Sequence, residues 1–239
     1  MSDSLSAHRA VARFAAAEAC DVHISGLPAH ANDPLAALHD VGTVSRFERN
    51  QTIFNEGDDA RYSYKLVEGG VRLCKLMPDG RRQIAEFALP GDLFGFEMNN
   101  QHSLTAEALG DVVVMRCARS QMERLSEEQP TLCKQLMTQL KRELTSAQTH
   151  LVMLGRQTAK ERVASFLLLL AERVGAEDGE TVDLPMSRQD IADYLGLTIE
   201  TVCRALSDLK RDRILAIPNR HQIQIRNIAS LETISECDE

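Results

Sequence analysis

The stretch "TIETVCRALSDLKRD" (198–212) places a carboxylate and a guanidinium four residues apart, Glu200 and Arg204, with the thiol of Cys203 between them. Helical positions advance by about 100° per residue, so Cys203, Arg204 and Ser207 fall within roughly 60° of Glu200. Val202, Ala205, Leu206 and Leu209 gather on the other side, between about 140° and 240° from Glu200. A helix divided in this way buries its apolar stripe and presents the polar one. Arg204 can then donate two parallel hydrogen bonds to guanine O6 and N7, about 1–3 kcal/mol of base discrimination. Glu200 can accept from a cytosine amino group and can also hold Arg204 in place. The plainer alternative is an i,i+4 salt bridge on a solvated face, and the elements around the stretch decide between the two.

Ser187 suits the N-cap of a short helix through Tyr194, Gly196 suits a tight turn, and Thr198 caps a second helix through about Asp212. Two helices joined by a short glycine-containing turn form a helix-turn-helix. The following "ILAIPNRHQIQIRN" reads as two short strands around "PNRH", a wing. In that setting the outward face of the second helix reads bases through Glu200, Cys203 and Arg204. Ser187, Arg188, Gln189, Thr198, Thr201, Ser207, Arg220 and His221 are placed for phosphate or supporting contacts that set register. The apolar stripe is expected to pack on the first helix and on Phe166–Leu170. Between Ser187 and Arg226 seven Lys/Arg face five Asp/Glu, a net +2, so the rest of this −8 chain carries −10. An acidic body with a mildly basic module fits a DNA reader that avoids indiscriminate sticking.

Upstream elements must hold this module. Residues 43–118 contain "VSRF", "QTIF", "SYKLVEG", "VRLCKLM", "QIAEFAL" and "VVVMRC", separated by "NEGDD", "EGG", "PDG", "PGD" and "LGD". Short β-branched runs with such punctuation predict a small antiparallel barrel or roll. From Ser120 the period changes. Leu140, Leu144, Ala147, Leu151 and Leu154 recur at steps of four and three, a heptad-like stripe that predicts a dimer seam on a long helix begun by Pro130. Packing of that helix on its own domain is the alternative. "TAKERVASFLLLLAERVG" (158–175) is a further amphipathic helix. The fold class is α+β, divided as an arm (1–30), a β-roll (31–122), a dimerisation helix (123–157) and a winged helix-turn-helix (158–239).

Composition narrows the classes. Hydrophobic residues make up 44% of 239, enough for real cores. The longest apolar run, Phe166–Ala171, is far short of the roughly 18 residues of a membrane span, and the N-terminus has no signal-peptide core; the chain reads as cytoplasmic. Six scattered cysteines form no C-x-x-C pair, so no zinc knuckle or disulfide framework is indicated. Cys74 reads as a core thiol, Cys133 begins the long helix, and Cys237 sits in the acidic tail "SECDE". No Gly-rich phosphate loop, Ser/His/Asp set or paired-carboxylate motif suggests an enzyme.

These residues together resemble the CRP/FNR superfamily of transcription regulators, over nearly the whole chain from about residue 40. The likeness rests on "NEGDDA…EGGVRL…PDGRRQI…PGDLFG", the dimer helix and "SRQDIADYLGLTIETVCRAL". The E-x-x-[ST]-R pattern of FNR-type readers is present as Glu200 to Arg204 with Cys203 at the serine position, a version similar to the FixK branch of low-oxygen and nitrogen-fixation regulators. The resemblance implies a homodimer, a palindromic TTGA-type operator and activation by contact with RNA polymerase.

Two departures bear on sensing. Relatives that bind cyclic nucleotides carry an Arg-Ser pair after the "GDLFG" turn; His102-Ser103 stands there instead, so the principal charge partner of a cyclic phosphate is missing and cyclic AMP is not expected to bind. FNR-like iron–sulfur ligation needs four cysteines. Here Cys117 resembles the roll cysteine and Cys20 lies in the arm with His23 and His30. An arm without cofactor is expected; a Cys20/His23/His30/Cys117 metal site is the alternative. Cys203, beside Arg204 and near a helix N-terminus, occupies an electropositive setting that makes thiols reactive, and its small side chain can touch a thymine methyl. Its oxidation to sulfinate or sulfonate would put negative charge among phosphates and remove operator binding. The competing reading is a serine-like replacement without regulatory consequence.

Overall fold

The structure is a computed structural model that describes residues 41–236. The first unit contains β1 (Thr43–Phe47), β2 (Thr52–Phe54), β3 (Tyr62–Glu68), β4 (Val71–Leu76), β5 (Arg82–Ala88), β6 (Leu93–Phe94), β7 (Thr105–Ala108) and β8 (Val112–Ala118). They form two antiparallel sheets in the orders β1-β8-β3-β6 and β2-β7-β4-β5. Leu66 and Val114 of one sheet meet Val71, Ala88 and Ala106 of the other in a shared core. Strand β8 is apolar almost throughout because both its faces are covered. Val112 and Val114 point into the roll, while Val113, Met115 and Cys117 lie under Met122, Leu125 and Leu132 of the following helices. That double burial accounts for the unbroken "VVVM" run.

All six strands expected from the sequence are present. β6 and β7 were not anticipated, since one has only two residues and the other reads "TAEA", without β-branched residues beyond Thr105. Between the roll and the C-terminal unit run two helices, α1 (Arg119–Glu128) and α2 (Pro130–Arg156). They part at Gln129, whose backbone is extended, and Pro130 occupies the first turn of α2, where its missing N–H costs no helical bond. Residues 123–157 thus comprise the end of α1 as well as α2.

The C-terminal unit contains α3 (Ala159–Val174), β9 (Thr181–Asp183), α4 (Arg188–Leu195), α5 (Ile199–Arg211), β10 (Leu215–Asn219), β11 (Gln222–Ile225) and α6 (Ile228–Ser235). Thr158 and Glu161 close a capping box on α3, and Ser187 and Asp190 do so on α4, each satisfying two of the orphan N–H groups. Gly196 ends α4 at φ +63, a conformation that L side chains rarely adopt, so the α4–α5 turn depends on this residue. The wing is the sheet β10-β11-β9. The expected winged helix-turn-helix is therefore present, with the added helix α6 burying Leu231.

The roll and the C-terminal unit share one apolar cluster. Ile84, Phe87 and Leu89 of the roll pack with Phe166, Met186 and Tyr194. Cys74 is buried at 4% exposure, a core thiol as expected, but it lies in this inter-unit cluster because strand alternation points it away from Val71 and Leu73, which fill the roll. Burial, reinforced by nearby Glu107, pushes its thiol up to about 11.

Candidate nucleic-acid interface

Helix α5 is amphipathic in the predicted sense. Val202, Ala205, Leu206 and Leu209 are buried, while Glu200, Cys203, Arg204 and Ser207 are exposed. The buried stripe packs with Ile191, Ala192 and Leu195 of α4 and with Phe166, Leu167 and Leu170 of α3, which fixes the polar face outward. The helix begins on Thr198, whose hydroxyl accepts from the Thr201 amide at 3.3 Å and lies 3.0 Å from the Thr201 hydroxyl. Ser207 donates back to the carbonyl of Cys203 at 2.8 Å, so its hydroxyl is partly engaged within the helix.

Glu200 does not hold Arg204 in place. Among the described residues no ion pair joins the two. The Glu200 carboxylate instead turns to the start of the helix, where its own amide and then the Thr198 hydroxyl hold it below the usual carboxylate range. Arg204 is left exposed with all its donors available.

The first helix of the motif supplies a second row. Ser187 both donates to Asp190 Oδ2 at 2.6 Å and accepts from the Asp190 amide at 3.1 Å. Gln189 is exposed and donates to Asp193 at 2.7 Å. Arg188 is half-buried, and burial lowers its guanidinium from the ordinary range, with the Cys203 thiol opposing that shift. Its Nη1 is buried without a hydrogen-bond partner. The cation of α4 and the thiol of α5 are thus neighbours, a pairing that sequence spacing did not suggest. Arg220 and His221 are exposed at the tip of the wing, whose turn is tied by Asn219 accepting from the His221 amide at 2.8 Å and donating to Gln222 at 2.8 Å.

Behind this surface lies a charge network that sequence reasoning missed. Arg72 of β4 donates to Glu107 at 2.8 Å and to Asp190 at 3.0 Å. Arg82 of β5 donates to Asp190 at 2.7 Å and to Asp193 at 2.9 Å. Gln83 donates to the Tyr194 carbonyl at 3.2 Å. Helix α4 therefore shows Asp190 and Asp193 to the roll while Ser187 and Gln189 face outward.

Along α2, Leu140, Leu144 and Leu151 are 42%, 60% and 73% exposed, Ala147 is exposed, and Leu154 is half-buried. Met137, three residues before Leu140, extends the same heptad stripe one step earlier and is also exposed. In the roll, His102 is buried and stacks on Phe54 with ring centroids 3.6 Å apart. Cys117 is buried too, and burial raises its thiol. Cys20, His23 and His30 lie outside the described residues; among those described, no three ligating side chains gather. No helix among them is long and apolar enough to cross a membrane.

Comparison with known proteins places these features together. Residues 161–234 match the Crp-like helix-turn-helix domain family, and residues 44–129 match the cyclic nucleotide-binding domain family. The chain is 46% identical over 185 residues to the nitrogen fixation regulation protein FixK of Bradyrhizobium diazoefficiens, covering 77% of this chain and 78% of that one. It is 43% identical over 174 residues to the transcriptional activatory protein AadR of Rhodopseudomonas palustris, covering 72% and 73%. Among solved structures it is similar to FixK2 from Bradyrhizobium japonicum, with a TM-score of 0.78 at 43% identity over 83% of this chain and all of that one.

Proposed function

The chain belongs to the CRP/FNR family of transcription regulators, in its FixK-like branch, and from that premise we propose that it activates genes of the low-oxygen and nitrogen-fixation type as a homodimer on a TTGA-type palindrome. One observation carries the reading: the exposed Glu200–Cys203–Arg204 face of α5, fixed outward by the buried stripe behind it. A recognition helix in the major groove reads bases with such side chains at its N-terminal half. Thr198, Thr201, Ser187, Arg188, Gln189, Ser207, Arg220 and His221 surround it as phosphate and supporting contacts. The α2 stripe through Leu140, Leu144, Ala147, Leu151 and Leu154 forms the dimer seam, and RNA polymerase is the further partner.

Binding needs no cyclic AMP, since His102 stands where a guanidinium would meet the phosphate and its ring is committed to Phe54. Cys203 is the redox point. Its thiolate attacks a peroxide oxygen, the peroxide O–O bond breaks, water leaves, and a sulfenate forms; two further peroxides give the sulfonate. The added oxygens bring negative charge and bulk to a surface facing phosphates, and operator binding is lost.

The test is a gel-shift titration on a TTGA palindrome without effector, in reduced and in peroxide-treated protein. Reduced protein binds and oxidised protein does not, while Cys203→Ser binds in both conditions and Cys203→Asp in neither. Peroxide-insensitive binding by the wild type sinks the redox step. The match of residues 44–129 to the cyclic nucleotide-binding family favours one second reading, a ligand- or metal-gated regulator. It stands if the reduced wild type binds only after an effector, or a metal held through Cys117 and the arm residues Cys20, His23 and His30, is supplied.

A further inference from the structure

The loop that follows β6 closes one end of the roll, and its polar contacts converge on a single carboxylate. Glu97 Oε1 accepts from the Ser103 amide at 2.9 Å and from the Ser103 hydroxyl at 3.0 Å. His102 Nδ1 lies 3.8 Å from the same oxygen, buried and without a hydrogen-bond partner, on a residue only 3% exposed. The ring cannot easily move away. It stacks on Phe54, its amide donates to Asp58 and its carbonyl accepts from Gly57. Gly95, at φ +78, lets the backbone cross directly above: a Cβ there would come within 3.0 Å of Tyr64 and 3.4 Å of both His102 and Phe54.

An amide N–H and a hydroxyl aimed at one anionic oxygen make charge-assisted hydrogen bonds, about twice as strong as neutral ones. With a buried imidazole nitrogen beside them they outline a cradle for a small oxyanion. Burial holds His102 below its ordinary range, with Glu97 pushing the other way.

We propose that this end of the β-roll is a small-oxyanion site already occupied by the chain's own Glu97, so that residues 95–103 are held closed without any soluble ligand. The inference rests on the effector-free reading above and gives it a physical cause: the ordering anion is part of the polypeptide. A tethered carboxylate acts at an effective concentration in the millimolar range or higher, so free anions at lower concentration do not displace it. Emptying the cradle turns the two Ser103 donors to water and lets a free carboxylate of the right size take Glu97's place.

Chemical rescue tests this. Glu97→Ala is expected to melt about 3–8 °C below the wild type, the loss of two hydrogen bonds to a charged acceptor in a chain of this size. Sodium formate should recover at least half of that drop and restore operator binding in a gel shift, whereas sodium chloride at equal ionic strength should not, and the wild type should respond to neither. Glu97→Gln keeps an acceptor without the charge and is expected to melt between the two, unrescued by formate. Wild-type melting of Glu97→Ala, or no recovery with formate, overturns the proposal. Should Glu97→Ala fail to fold, Glu97→Gln decides: wild-type melting of that variant shows the charge is not needed and overturns it equally. A wild type that requires an added effector for operator binding would instead overturn the effector-free reading, even if formate rescues Glu97→Ala.

Discussion

Arg204 is an exposed cation of the α5 face, free of any ion pair with Glu200, and on the proposed reading would meet DNA without first giving up a protein partner. Arg204→Ala is expected to weaken binding to each TTGA-type half-site by about 10- to 100-fold and to relax preference at the contacted base. Arg220→Ala, at the wing tip, should weaken binding to all sequences alike and reduce the salt slope by about one. Quantitative gel shifts on matched and single-base-changed operators at several salt concentrations separate the two. Equal losses on every sequence for Arg204→Ala would remove it from base readout. The two faces of α5 and its Thr198 cap were legible in the sequence because they depend on positions within a few residues of one another. The neighbourhood of Arg188 and Cys203 was not, because it depends on how α4 crosses α5. The redirection of Glu200 to the helix start was not either, since an i,i+4 spacing permits an ion pair without requiring one.

At the scale of elements, α4 has two loyalties. Its first-turn Asp190 completes the capping box with Ser187 and is also the anion that Arg72 and Arg82 share. Asp190 and Arg72 side chains are 5% and 10% exposed, so removing one partner strands a charge in a poorly solvated place. Arg72→Met is expected to cost about 3 kcal/mol and roughly 6–12 °C of Tm, because Glu107 and Asp190 each lose a ligand; thermal unfolding reads it, and a shift below about 2 °C would show that solvent already screens the network. These partners are 118 residues apart in the chain. Each looked locally like a surface arginine or a capping aspartate, and no periodicity could join them. The same limit hid the cavity of about 80 Å³ where β5, α2 and α3 meet, lined by Glu86, Glu143, His150 and Arg173. There burial, with Glu86 close by, pushes Glu143 up to about 7. A carboxyl raised in the folded state favours folding below its unfolded pKa and opposes it progressively as pH rises from 4.5 toward 7. Glu143→Gln removes that penalty. Its Tm should match the wild type near pH 4.5 and exceed it by about 3 °C at pH 7.5, whereas His150, lowered by burial and destabilising only on acidification, affects both proteins equally. A Tm difference that does not grow with pH would remove Glu143 from the balance.

For the whole molecule the decisive feature is the apolar stripe that α2 leaves exposed. A helix of 27 residues is about 40 Å long, comparable with the 34–36 Å that separates successive half-sites on one face of DNA. Its exposed stripe of Met137, Leu140, Leu144 and Leu151 continues in heptad register to Ala147 and Leu154. On the proposed reading a second copy would offer the same stripe, and a two-fold seam would bury both at once. The net charge of −8 per chain would repel DNA outside the mildly basic segment 187–226. Because Leu144 and Leu151 are 60% and 73% exposed in the single chain, charges placed there leave its cores untouched. Leu144→Glu with Leu151→Glu should therefore keep the wild-type circular dichroism spectrum, sediment as a monomer, and lose the palindrome at least 100-fold, since one half-site then binds without the effective concentration its tethered twin provides. A variant that still sediments as a dimer would move the seam off this stripe. One that sediments as a monomer yet binds the palindrome with wild-type affinity would show that pairing on DNA comes from the C-terminal units instead.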